Sequence, residues 1–414
     1  MSRLPFVAAA AFVAAAGGAI AYIALAPLPR YAPQPVAFTV AHATSADVAE
    51  GRRLALMMCE PCHYDPATRA FSGTPLRDLP SIFGTFASAN ITRDPLHGIG
   101  RLTDSDLARV VRTGVTHDGR LASPMPTFAR LADRDLFALV AFLRSDDPLV
   151  RAVPKPTTPA RPALLGKAIA HLLFRPKPYP AAAVAAPPAT DRVAFGQYLA
   201  LRRYDCYKCH SASVLRVDDD QPERSAGFFG GGTTLVSANG APISSANLTP
   251  DAETGIGRWR EDDFVRALRR GFRRDNTLLR SPMPMYPGMT DDEAAAIFAY
   301  LRTVPPIRKT RPQPENVVPA LAAASRGEAI YLKYQCTQCH GISGIGKHDL
   351  TGAADHLGSP AAIEAWIRNP AGITPGVAMP AWQGVIAEDE YAPLIEYVRR
   401  LGEQRETARA QAMR

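Results

Sequence analysis

The 414-residue chain lacks the features that mark several common classes of protein. Lys and Arg outnumber Asp and Glu by 47 to 39, but no block of basic residues resembles a nucleic-acid-binding arm. With 47% hydrophobic and 21% charged residues, the composition also lacks the bias of a disordered or a polytopic membrane chain. Nucleic-acid binding is therefore a poor first interpretation, and the length predicts two to four folded domains.

Cysteine is scarce, and none of the six cysteines stands alone in the sequence. They form three Cys-x-x-Cys-His segments, which are Cys59 to His63, Cys206 to His210 and Cys336 to His340. Such a segment attaches c-type haem, because its two thiols bond the vinyl groups and its histidine ligates the iron. We therefore predict three covalently bound haems. The attachment residues are Cys59, Cys62, Cys206, Cys209, Cys336 and Cys339, and the iron ligands are His63, His210 and His340.

Three other uses of paired cysteines have to be weighed. A structural zinc site needs four ligands in a closed set, which three separate repeats do not supply naturally. Disulfides across two-residue gaps would leave the three histidines unexplained, and a thioredoxin-type dithiol belongs to a βαβ context that the sequence does not show. Haem attachment accounts for every one of these residues.

A Met-Pro pair follows each segment and supplies a candidate second iron ligand. Met125, Met283 and Met379 lie 62, 73 and 39 residues after the histidine of their own repeat. A filled sixth position makes an electron carrier, and a thioether ligand raises the reduction potential. Met285 and Met289 lie close enough in sequence to compete with Met283.

Ligation by two histidines is the alternative to methionine. It would need a further histidine in every repeat, and the second repeat has none after His210. We expect the spare histidines of the other repeats to be surface or loop residues; they are His97, His117, His348 and His356.

Two landmarks between the histidine and the methionine show an internal duplication. Asn90-Ile91-Thr92 and Gly98-Ile99-Gly100 return 157 residues later as Asn247-Leu248-Thr249 and Gly255-Ile256-Gly257. The third repeat is shorter and more diverged but keeps the order of cysteine pair, Met-Pro and last helix. The sequence therefore consists of three copies of one pattern.

Each repeat begins and ends with a helical pattern, which predicts a mostly α-helical fold. The leading run of each repeat contains a glycine 8 to 10 residues before the first cysteine, where another helix could approach closely; these are Gly51, Gly196 and Gly327. Thr290 and Glu293 predict a capping box before the closing helix of the second repeat. We expect the leading and closing helices to cross in each unit.

Proline-rich stretches divide the chain into domains and semi-rigid linkers. The predicted domains are 44–147, 190–304 and 320–403, the linkers are 148–189 and 305–319, and 404–414 is a tail.

The N-terminal run 4–28 is uncharged and Ala-rich, and its 25 residues are enough to span a hydrocarbon core of about 30 Å. A signal peptide is the alternative to a membrane anchor. Ala24-Leu25-Ala26 imitates a cleavage site, but Pro27 would then be the first mature residue, which favours an uncleaved anchor. Since haem is attached to exported protein, we expect the haem domains on the periplasmic side of the cytoplasmic membrane.

These motifs resemble class I cytochrome c domains, and their threefold arrangement over about 44–403 resembles the trihaem cytochrome c subunits of bacterial membrane-bound dehydrogenases. That group carries Asn-Ile-Thr-Pro-Asp and Gly-Ile-Gly before its Met-Pro ligand; the second repeat matches fully, whereas the first has Arg93 in place of the proline. The resemblance implies three tandem class I cytochrome c domains.

The resemblance further implies an electron-transfer subunit rather than an enzyme. Electrons would come from a dehydrogenase catalytic subunit and pass to quinone or a terminal oxidase. The alternative is a haem enzyme, a peroxidase or small-molecule reductase, with one open haem site. No other catalytic constellation stands out in the sequence.

Overall fold

The computed structural model of the chain describes residues 4–65, 67–76, 79–236, 242–275, 277–280, 282–309, 323–341, 344, 350, 352–374, 377 and 379–412. The chain divides into two compact units, Met1–Ala185 and Ala186–Arg414. The first unit holds the first Cys-x-x-Cys-His segment, and the second unit holds the other two.

The first unit is helical apart from one short strand pair. Its helices are α1 (Leu4–Leu25), α2 (Ser45–Met58), α3 (Glu60–His63), α4 (Asp104–Thr113), α5 (Asp133–Arg144) and α6 (Leu164–Leu172), with a 3₁₀ turn at Ser81–Phe83. Strand β1 (Gly84–Thr85) pairs antiparallel with β2 (Arg161–Pro162). Capping boxes start α2, at Thr44 with Asp47, and α4, at Thr103 with Asp106.

The second unit is also mostly helical, in agreement with the predicted fold class. Its helices are α7 (Arg192–Tyr198), α8 (Cys206–His210), α9 (Glu261–Arg270), α10 (Asp291–Leu301), α11 (Arg326–Lys333), α12 (Thr337–His340), α13 (Ala353–Leu357), α14 (Pro360–Arg368), α15 (Pro370–Ile373) and α16 (Tyr391–Ala412). Helix α7 continues as a π-helical turn over Leu199–Arg203. Strand β3 (Thr234–Val236) pairs antiparallel with β4 (Pro242–Ser244). The predicted capping box at Thr290 and Glu293 is present.

The leading and closing helices of every repeat meet at the predicted glycine. Helix α2 meets α5, α7 meets α10, and α11 meets α16. A methyl group in place of each glycine hydrogen would lie only 1.8, 1.8 and 2.2 Å from a backbone oxygen of the closing helix, so only glycine allows this approach. The pairs are Gly51 with Ala138, Gly196 with Ala296 and Gly327 with Pro393.

The core of the third repeat contains one residue from the second. Phe272, directly after α9, is 2% exposed and packs edge-on against Trp382, with ring centroids 5.3 Å apart. The same core contains Tyr391, Leu394 and others from the third repeat. The second and third repeats therefore share hydrophobic packing, which the division of the sequence into separate domains did not anticipate.

Within the described residues, no helix combines the length and the hydropathy that crossing a membrane requires. The anchor at 4–28 stays a prediction.

Candidate haem-binding sites

The two cysteines and the histidine of each segment lie on one short helical turn. In the first repeat, Cys59 ends α2 and begins α3, and the backbone N–H groups of Cys62 and His63 both donate to its carbonyl oxygen. The turn of the third repeat is built in the same way on Cys336. Residues at i, i+3 and i+4 share one helix face, so both thiols and the imidazole point to one side.

His63 and His210 are buried and are held by the same kind of hydrogen bond. Nδ1 of His63 lies 2.8 Å from the carbonyl oxygen of Ala89, and Nδ1 of His210 lies 2.9 Å from that of Ala246. A carbonyl oxygen can only accept, so Nδ1 carries the proton and Nε2 keeps its lone pair. This tautomer is the one that ligates iron through Nε2, and the residues of these two repeats therefore fit a c-type haem.

Burial also favours the neutral form of both imidazoles. It lowers the pKa of His63 and of His210, and the hydrogen bond to the backbone carbonyl opposes this shift only in part. A neutral imidazole is the form that binds a metal ion.

The asparagine after Ala89 holds the acceptor carbonyl in place. The Asn90 backbone N–H donates to Thr157 Oγ1 at 3.0 Å, which fixes the peptide plane that carries the Ala89 oxygen. Asn90 Nδ2 donates to the carbonyls of Val153 and Lys155, both at 2.9 Å. Its Oδ1 accepts from the backbone N–H and the hydroxyl of Thr92, at 2.9 and 2.7 Å.

The second repeat reproduces this arrangement. Asn247 Nδ2 donates to the Ile307 carbonyl at 2.6 Å, and Asn247 Oδ1 accepts from the N–H and hydroxyl of Thr249 at 2.9 and 2.7 Å. In both repeats the threonine hydroxyl also accepts from the segment after the closing helix, which we call the strap. The donors are Val153 N–H at 3.3 Å and Ile307 N–H at 3.0 Å. We call this set of bonds the Asn–Thr clamp, and it explains why Asn-x-Thr recurs in the sequence.

In each of these two repeats, a lysine donates to a glycine that in turn donates to the backbone of the histidine. Lys155 Nζ donates to the Gly73 carbonyl at 2.5 Å, and Gly73 N–H donates to the His63 carbonyl at 2.9 Å. Lys309 Nζ likewise donates to the carbonyl of Gly231, whose N–H donates to the backbone carbonyl of His210. The sequence interpretation did not identify either lysine. The feature that could have identified them is their equivalent position after the closing helix of each repeat.

The second repeat has a charged group beside its cysteines that the other repeats do not share in sequence. Lys208 Nζ lies 2.7 Å from an Asp205 oxygen and 3.7 Å from an Asp219 oxygen. The Tyr207 hydroxyl donates to Asp219 at 3.0 Å. Burial is the largest effect on Asp205 and raises the pKa of its carboxyl group. In this repeat, a lysine between the two cysteines therefore lies beside two carboxylates.

The candidate methionines lie at equivalent turns in the first two repeats. The backbone N–H of Met125 donates to the carbonyl three residues before it at 2.8 Å, and that of Met283 does the same at 3.0 Å. Both side chains are half-buried. Of the two competitors, Met289 lies in the core, and Met285 packs against Gly271. The assignment of Met125 and Met283 as ligands stays a prediction.

The third repeat brings its candidate residues to one core. Half-buried Met379 and Cys336 both pack against the hydrophobic cluster that contains Trp382. His340 is half-buried at the end of α12, and the Tyr331 hydroxyl donates at 2.7 Å to the carbonyl of the next residue, Gly341. This repeat has no Asn-x-Thr segment, so its attachment turn is held differently.

The spare histidines lie where the sequence interpretation placed them. His97, His117 and His356 are exposed, whereas His348 lies outside the described residues.

The alternatives to haem attachment find little support. Burial raises the pKa of Cys59, Cys206 and Cys336 to about 12, whereas a redox dithiol needs a lowered thiol pKa. Within the part of the chain that the structure describes, no three side chains of His, Cys, Asp or Glu converge.

Comparison with known proteins gives one matching family model and several similar proteins. The family model described as cytochrome c oxidase, cbb3-type, subunit III matches residues 322–398. The cytochrome c subunit of the quinone-type alcohol dehydrogenase of Gluconobacter oxydans is 30% identical over 88% of this chain and 81% of its own length.

Two further relatives bear similar names. The corresponding alcohol dehydrogenase subunit of Gluconacetobacter polyoxogenes is 28% identical over 86% of this chain and 81% of its own length. The gluconate 2-dehydrogenase cytochrome c subunit of Pantoea cypripedii is 28% identical over 69% of this chain and 67% of its own.

Proposed function

The chain belongs to the family of dehydrogenase cytochrome c subunits, and on that premise we propose that it relays electrons through three covalently bound c-type haems. When bound, haem supplies the one-electron redox chemistry. The observation that carries the proposal is the repeated hydrogen bond from a buried histidine Nδ1 to a clamped backbone carbonyl, in His63 and His210.

The chain contributes ligation, burial and spacing to this relay. Two thiols and one histidine per repeat hold a haem, and Met125, Met283 and Met379 would close the sixth position against small molecules. The closed sixth position favours electron transfer over ligand chemistry. The Asn–Thr clamp keeps the His63 and His210 rings from rotating, which limits structural change between redox states.

The partner would be a dehydrogenase catalytic subunit, and the acceptor would be quinone or a terminal oxidase. The similarity to alcohol and gluconate dehydrogenase subunits supports such a partner. We also propose that residues 4–28 anchor the chain with its haem repeats on the periplasmic side, since this run is uncharged and haem is attached after export.

The test is a haem count and a carbon monoxide titration of the purified, dithionite-reduced holoprotein. We expect three haems per chain by pyridine haemochrome and no carbon monoxide binding in the native state. Fewer than three haems would contradict the three-centre relay. Stoichiometric binding of carbon monoxide would show an open iron and would favour a haem enzyme instead.

A further inference from the structure

Helix α6 has an unusual combination of composition and exposure. Six of its nine residues are apolar, the structure describes all nine, and none of them is buried. A helix this short is marginal in water by itself, because helices in proteins are stabilised mainly by burying an apolar face. The helical conformation of α6 therefore indicates that something outside the first unit covers its apolar side chains.

Four of the six apolar residues form one stripe, and its three leucines are exposed. Leu164, Leu165, Ala168 and Leu172 lie at i, i+1, i+4 and i+8, which share a helix face. Leu172 is 64% exposed, and Leu173, which follows the helix, is 65% exposed.

The opposite side of α6 faces the protein. A methyl group at Gly166 would lie 2.1 Å from the carbonyl oxygen of Phe83, so this glycine allows α6 to contact the 3₁₀ turn at Ser81–Phe83. On that turn, Ile82 is 61% exposed.

Helix α6 contacts the C-terminal end of α1. Lys167 Nζ donates to the carbonyl oxygens of Ala24, at 2.5 Å, and Ala26, at 3.5 Å, which are among the backbone acceptors left over at a helix end. The His171 ring meets the Tyr22 ring edge-on, with centroids 6.0 Å apart. Helix α6 is thus joined to the C-terminal end of the proposed anchor.

The surrounding sequence carries only positive charge. Residues 148–190 contain no Asp or Glu and six Lys or Arg, of which Arg161, Lys167, Arg175 and Lys177 lie on or beside α6. Basic residues beside an apolar helical stripe suit the headgroup layer of a membrane with anionic lipids, where leucine side chains enter the acyl boundary.

We propose that α6, with Leu173 and the 40% exposed Phe174, lies in the interfacial layer of the membrane and holds the first unit against the lipid surface. The assignment of lipid as the occupant follows from the contact of α6 with the C-terminal end of α1 and from the absence of acidic residues in 148–190. It rests on the proposed membrane anchoring, which the experiment tests separately.

The experiment uses the full-length holoprotein in phosphatidylcholine and phosphatidylglycerol vesicles whose acyl chains carry a diazirine. After irradiation, lipid adducts are mapped by mass spectrometry. We expect adducts on residues 162–174 and on α1, and fewer adducts on 162–174 when the phosphatidylglycerol is left out. Adducts on α1 without any on 162–174 would overturn the assignment of α6 and leave the anchor standing, and would point to a protein partner over the stripe. Adducts on 162–174 without any on α1 would overturn the anchor alone.

A pair of variants tests whether the stripe itself makes the contact. Leu172→Glu combined with Leu173→Glu is expected to abolish the adducts on 162–174 and to keep those on α1. Leu215→Glu is the matched control, since Leu215 is 84% exposed but lies far from this segment in sequence. Unchanged labelling of 162–174 in the double variant would contradict the proposal, provided that the circular dichroism and haem spectra match the wild type.

Discussion

His63 and His210 depend on neighbours that are far from them in sequence. Each donates to a carbonyl whose next residue is a clamped asparagine, and the clamp reaches the strap that follows the closing helix. A hydrogen bond to Nδ1 orients an iron-ligating imidazole and raises its basicity, which stabilises the ferric state. At the predicted haem sites, the asparagines would therefore act on the iron through the histidine.

Asn247→Ala is expected to raise the reduction potential of the second haem alone, because a loosened Ala246 carbonyl accepts less well from His210. It should also lower the free energy of unfolding by about 1–3 kcal/mol, since the Ile307 carbonyl and the Thr249 hydroxyl lose their partner. Spectroelectrochemical titration and thermal unfolding measure the two effects. Asn90→Ala is the matched control and should raise the reduction potential of the first haem instead. An unchanged potential in both variants would mean that the clamp is purely structural.

The methionine assignment is tested by single substitutions. Met283→Ala is expected to lower the potential of the second haem and to let one equivalent of carbon monoxide bind, because a thioether ligand is lost. Met125→Ala and Met379→Ala should do the same at the first and third haems. Met285→Ala serves as the control, since this side chain packs against Gly271. Carbon monoxide binding by the Met285 variant and not by the Met283 variant would reverse the assignment.

At the scale of helices, the repeated element is the crossing of a leading and a closing helix at a glycine. The same contact in three diverged sequences shows that the close approach matters more than the residues around it. Since the leading helix runs into the attachment turn, this crossing sets where the cysteines and histidine lie.

Gly196→Ala is expected to lower the free energy of unfolding of the second unit by about 1–3 kcal/mol, because the new methyl group would lie 1.8 Å from the Ala296 oxygen and α7 must move away from α10. Denaturant titration of the holoprotein, followed at the second haem, measures the effect. Gly17→Ala, in α1, is the control, because nothing lies within 4 Å of the added methyl group. Equal stability of the two variants would show that the crossing tolerates a side chain.

At the scale of the molecule, the three repeats do not form three separate hydrophobic cores. Phe272 belongs to the second repeat by sequence and to the core of the third by packing. The second unit, Ala186–Arg414, is therefore expected to unfold with its two repeats coupled, while the first unit, Met1–Ala185, unfolds by itself.

Phe272→Ala should reveal this coupling. Removing a buried aromatic ring costs about 3–5 kcal/mol, and here the cavity forms beside Trp382. Hydrogen exchange is expected to speed up in α14 and α16 of the third repeat, and to stay unchanged in α2 and α5 of the first unit. Phe272→Leu should restore most of the protection. Faster exchange confined to α9 would contradict a shared core.

Features set by short-range spacing could be predicted from the sequence alone. The position of both cysteines and the histidine on one turn and the capping box at Thr290 follow from residues a few positions apart, whose geometry a helix determines. The glycine crossings join distant residues, and only the recurrence of one glycine in every leading helix predicted them. The exposure of His97, His117 and His356 followed as well, since polar side chains are mostly exposed in folded proteins.

Only the tertiary structure decided the features that join distant residues. The Asn–Thr clamp connects Asn90 to Val153 and Lys155, the shared core connects Phe272 to Trp382, and Lys167 connects α6 to the end of α1. Which distant groups meet depends on how the helices pack, and a hydrogen bond or aromatic contact forms only at that final geometry. The sequence by itself predicted where haem would be attached, because the attachment residues are close together in the chain. The packing determined which distant side chains orient the histidines, because those contacts exist only in the folded protein.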